Sequence, residues 1–66
     1  MAGNTRGKLK EKFEGVHRNF EWSKRHLADA LELIKEHHPH LSESITGLAT
    51  GIDTLDELAQ GIYARL

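Results

Sequence analysis

The sequence predicts an all-α fold: an antiparallel two-helix hairpin with heptad packing that dimerises into a four-helix bundle. Three observations carry that prediction. Phe13, Val16, Phe20, Leu27, Ala30 and Ile34 recur at alternating spacings of three and four, with Ser23 as the one polar interruption. Ile45, Leu48, Ile52, Leu55, Ala59, Ile62 and Leu66 repeat that spacing with no polar exception. Such a period holds each set on one face of a helix. Between the two sets, His37-His38-Pro39-His40 interrupts the helix, because proline removes a backbone donor and disfavours helical geometry in the residue before it.

Taken in order, residues 1–7 are small and polar, contain two glycines, and read as a flexible tail. Residues 8–66 form one domain. Its first helix spans residues 8–37, about 45 Å long at ~1.5 Å per residue. Gly15 weakens it by roughly 1 kcal/mol relative to alanine, and the repeat carries through. The turn takes residues 38–41, with Ser42 as a candidate N-cap and Pro39 as an alternative first helical residue. The second helix spans residues 42–64. Gly47 and Gly51 weaken its front half, and Thr54 with Glu57 has the pattern of a capping box, so a break near Gly51 competes with one continuous helix. The unbroken heptad favours continuity.

Charge is unevenly placed. The chain of 66 residues has a formal net charge of −1 and no cysteine. Seven Lys and Arg against three Asp and Glu fall in residues 1–26, and two against seven fall in residues 27–66. Lys24 and Arg25 are therefore expected opposite Asp53, Asp56 and Glu57, which favours the antiparallel hairpin over one bent rod. With the turn centred on Pro39, residue i should lie near residue 79 − i. Disulfides and thiolate metal sites are excluded. Neither a signal peptide nor a membrane span of ~18–20 apolar residues is visible, and a cytoplasmic location is the default expectation.

A lone hairpin buries one stripe per helix, too little for a small domain without a metal or disulfide. Self-association or docking on another protein is therefore expected. Two surfaces stand out for this role. A second line on helix two runs Ser44, Gly47, Gly51, Thr54, Leu58 and Gly61, about 110° from the first. Its small residues admit a close neighbour, an argument borrowed from membrane helices. Leu31, Leu33, Leu58 and Tyr63 widen the apolar arc beyond a two-stranded seam. Trp22, flanked by Arg18, Arg25 and His26, has the composition of an interface hot spot.

Other chemistry is weakly indicated. His37, His38 and His40 cluster at the turn without metal-ligand spacing, so neither a metal nor a cofactor is expected, and the imidazoles are read as capping the last carbonyls of helix one. No nucleophile–base arrangement points to an enzyme. The function expected is a non-enzymatic oligomerisation or protein-interaction module, as a small adaptor or a repeated subunit of a larger assembly. The alternative is a small nucleic-acid-binding regulator using Arg6, Lys8, Lys10 and Lys12, although Glu11 and Glu14 dilute that charge and nucleic acid is the weaker partner. In size and layout the chain resembles the helix-hairpin dimers of plasmid RNA-binding regulators. The likeness implies an architecture only, since no motif is shared.

Overall fold

Two helices run antiparallel from a turn at Pro39. A computed structural model describes residues 3–66, with α1 at Gly3–His37, a single 3-10 turn at Pro39–Leu41 and α2 at Ser42–Ala64. Met1 and Ala2 lie outside the described residues, but the remaining five tail positions are helical, and α1 begins at Gly3 rather than Lys8. A helix already nucleated by a long amphipathic segment extends at little cost per residue, even through Gly7.

The turn follows from proline. His38 leaves the helical region, at φ −142° and ψ 60°, as the residue before a proline must when the ring crowds it. Its N–H still closes α1 on the Ile34 carbonyl at 2.7 Å, while Leu41 N–H returns to the His38 carbonyl at 2.9 Å. Ser42 does not act as a side-chain cap. It is the first residue of α2, and its N–H donates to the Pro39 carbonyl, so the 3-10 turn supplies partners that a capping hydroxyl would otherwise provide.

Helix α2 is continuous through Gly47 and Gly51. Thr54 starts no new helix: its hydroxyl donates to the Thr50 carbonyl at 3.2 Å, one turn back. No described glycine has a positive φ, so none of them is needed for backbone geometry.

The helices pack along a line rotated from the expected one. On α1 the half-buried positions are Lys10, Phe13, Gly15, His17, Phe20, Lys24, Leu27, Ala30, Leu31 and Ile34. On α2 they are Ser42, Ile45, Ala49, Ile52, Tyr63 and Leu66, with Asp56 and Ala59 buried. Val16 and Ser23 are thus displaced from the seam by His17 and Lys24. Leu48, Leu55 and Ile62 are displaced by Ala49, Asp56 and Tyr63. Lys24 meets Asp53 and Glu14 meets Tyr63, each close to the pairing around Pro39, whereas His17 meets Asp56, more than one helical turn away from it. Two forces account for the rotation. Alanines at 49 and 59 let the backbones approach, and the new line pairs His17 with Asp56 instead of leaving both unpartnered.

The result is a rod of 54 × 15 × 10 Å with a radius of gyration of 15.9 Å, where a compact chain of this length would measure about 11 Å. Ala59 is the only buried apolar residue among those described.

A Cβ added at Gly15 would meet nothing within 4 Å. Gly15→Ala should therefore stabilise the protein by ~1 kcal/mol through helix propensity alone, read as a higher urea midpoint at unchanged slope.

Candidate interaction face and polar seam

The hairpin has two unlike long faces. Successive residues on a helix turn by ~100°, and in an antiparallel pair the same sense of rotation carries both helices toward the same side. Among the described residues the polar contacts between the helices lie on one side. There Lys24 Nζ is 2.8 Å from Asp53 Oδ1 and 3.2 Å from Glu21 Oε1. His17, with its proton on Nδ1, donates to both Asp56 oxygens at 2.9 and 2.7 Å. Tyr63 donates its hydroxyl to Glu14 at 3.1 Å, and Lys10 Nζ lies 5.6 Å from the Tyr63 ring centroid. Near the turn this side also holds a shallow groove of about 210 Å³, whose lining includes Leu27, Leu31, Ile45 and Ala49.

The other side is apolar and open. The residues displaced from the seam lie toward that side: Val16 and Ser23 on α1, and Leu48, Leu55 and Ile62 on α2. Leu48 is 54 % exposed, Leu55 53 % and Ile62 48 %, and Leu9 and Leu41 are also exposed. No Asp or Glu falls on this arc. The small-residue line of Gly47, Gly51 and Gly61, with the exposed Leu58, borders it on the outside of α2. A Cβ at any of these three glycines would meet open space. Leu58, Gly61, Ile62 and Arg65 frame a depression at its end.

The expected interaction residues thus divide. Gly47, Gly51, Leu58 and Gly61 are exposed beside the apolar face, and Leu33 is exposed on α1. Leu31 and Tyr63 belong to the hairpin seam instead. Trp22 is 54 % exposed, with the Arg25 guanidinium 5.4 Å from its ring centroid and Arg18 and Glu21 beside it. Of the basic residues at the start of α1, Arg6, Lys8 and Lys12 are exposed, whereas Lys10 is half-buried over Tyr63. At the turn, His38 and His40 stack edge to face with ring centroids 6.0 Å apart.

The feature that sequence reasoning missed is Asp56. It is 8 % exposed, in a seam otherwise lined on α2 by apolar and small residues. On the sequence it reads as one more solvated acid, because its neighbour Leu55 fits the heptad better. The hydrogen bond from His17 holds its carboxyl below the ordinary 3.8, partly opposed by burial. Hydrogen bonds to Asp53 and then Glu21 raise the Lys24 ammonium, and the bond to Glu14 raises the Tyr63 phenol. Exposed pairs such as Lys24–Asp53 contribute ~0–1 kcal/mol and select orientation.

Since the folded carboxyl of Asp56 titrates lower than the unfolded one, its pairing stabilises the hairpin above the usual carboxylate range and is lost as pH falls through the folded value. Thermal melts across pH 2–7 should show a steeper acid loss in the wild type than in Asp56→Asn, with the two curves converging at the acid end.

No protein-family model matches this chain, and neither a search of curated proteins nor one of solved structures finds a similar protein.

Proposed function

We propose that the protein is a non-enzymatic helical oligomerisation module whose open apolar face takes a second copy of the same chain, closing a four-helix bundle. The observation that carries this reading is the exposure of Val16, Leu48, Leu55 and Ile62 on one face of a hairpin whose own core is Ala59. Contiguous apolar patches of that kind mark interaction sites on small proteins. The surface area agrees in size. The chain exposes 5325 Å², against roughly 4,200 Å² for a compact chain of 7.5 kDa. The excess, about 1,000 Å², is close to the ~800 Å² that each partner hides in a stable protein–protein interface.

A second copy suits this face better than an unrelated partner. The face is largely apolar and without carboxylates, so it can complement itself across a twofold axis. The charge asymmetry of the chain is already used within the hairpin, where basic α1 faces acidic α2. Such a bundle serves as a small adaptor or as a repeated structural subunit. No helix among the described residues is long and apolar enough to cross a membrane.

The reading is tested with Leu55→Asp against Thr50→Asp, an exposed position on the outer side of α2. Each apolar residue counts twice in a symmetric dimer. Leu55→Asp should therefore cost about 3–6 kcal/mol per dimer and raise the dissociation constant at least ~100-fold, and Thr50→Asp should leave it within a few-fold. Equal effects of the two substitutions on self-association would reject this face as the interface.

A further inference from the structure

We propose that His17, Glu21 and Asp56 form a binding site for a divalent transition metal ion, of which Zn²⁺ is the representative, on the polar face of the hairpin. Each offers one ligand atom, and these atoms all lie within 4.8 Å of one another. His17 and Glu21 are spaced i, i+4 on α1, which places both over the same turn of α2. Asp56 reaches them from across the seam.

Three features favour metal binding over a simple ion pair. Asp56 is the only buried charged residue among those described, and it stands where the α2 seam is otherwise apolar or small. Both its oxygens are engaged by one imidazole, 2.7 and 2.9 Å from a single nitrogen, which leaves acceptor capacity free for a second positive centre. One imidazole with two carboxylates is a donor set for borderline divalent ions, and three protein ligands leave a fourth tetrahedral position for water.

Binding needs small motions only. Zinc bonds of about 2.1 Å place tetrahedral ligand atoms roughly 3.4 Å apart. Glu21, which is exposed, closes inward, and the His17–Asp56 contact opens as the imidazole exchanges its Nδ1 proton for one on Nε2 through solvent, staying neutral and freeing the Nδ1 lone pair for the ion. Lys24 is the cation bonded to the cluster, through Glu21, and Arg18 and Arg25 flank Glu21 on its outer side. Lys24 releases Glu21 but keeps Asp53, its closer partner at 2.8 Å. The ion bridges α1 and α2, so binding stabilises the folded hairpin by mass action.

The test is calorimetric titration of the full chain with Zn²⁺ at neutral pH, with Co²⁺ absorption as a second readout. The same titration is run on a variant with His37, His38 and His40 all changed to Gln, which removes the turn imidazoles as competitors. One ion per chain should bind this variant, with tetrahedral Co²⁺ bands. Adding Glu21→Gln, at an exposed position that the fold does not need, should weaken binding at least about tenfold, the loss seen when even an outer-shell partner is removed. Adding His17→Gln should do the same. Binding that disappears with the three turn histidines, or that is unchanged by both Glu21→Gln and His17→Gln, would overturn the assignment, as would no binding at all.

Discussion

The structure depends on one geometric constraint: a helix surface that is apolar over a wide arc cannot be covered by a single neighbouring helix. On α2 the apolar arc runs from Ala49 through Ile45, Ile52 and Ala59 to Leu48, Leu55 and Ile62, well over the ~100° that a core-facing helix presents. Helix α1 lies against one edge of this arc. The other edge, with Val16 beside it, faces outward. The hairpin therefore leaves part of its apolar surface uncovered, in keeping with its elongated shape and single buried alanine.

The placement of α1 is decided by polar groups. Between lines on α2 of similar hydrophobicity, the hairpin selects the one that carries Asp56, because there His17 satisfies both carboxylate oxygens and Lys24 finds Asp53. A carboxylate enters the seam only where it finds hydrogen-bond donors, and His17 provides one here. The polar pairs act on orientation and register, and the larger side chains stay exposed. The same economy explains the alanines at 49 and 59. They bring the backbones close where no bulk is needed, and the bulk is then found on the open face.

Much of this was legible in the sequence. Pro39 and the two heptads gave the hairpin, because a proline stop and a 3.5-residue period act locally and need no tertiary information. The attraction of Lys24 to Asp53 followed from the charge asymmetry. The rotation about each helix axis did not, for a physical reason: a heptad assigns the largest apolar residues to the nearest partner, and the arc on α2 is wider than one helix covers. Leu48, Leu55 and Ile62 fit the heptad better than Ala49, Asp56 and Tyr63, and the pairing of Asp56 with His17 has no signal in the spacing. Helix α1 runs through Gly7 because a long helix absorbs one weak residue. Leu31 and Tyr63, which widen the apolar arc on the sequence, lie at half-buried seam positions.

The most direct measurement is sedimentation equilibrium of the unmodified chain over a range of concentrations, with helicity followed in parallel by circular dichroism. The account predicts a species of about twice the chain mass of 7.5 kDa, whose helicity falls on dilution as the apolar face is uncovered. A species of single-chain mass that keeps its full helicity at every concentration would contradict it.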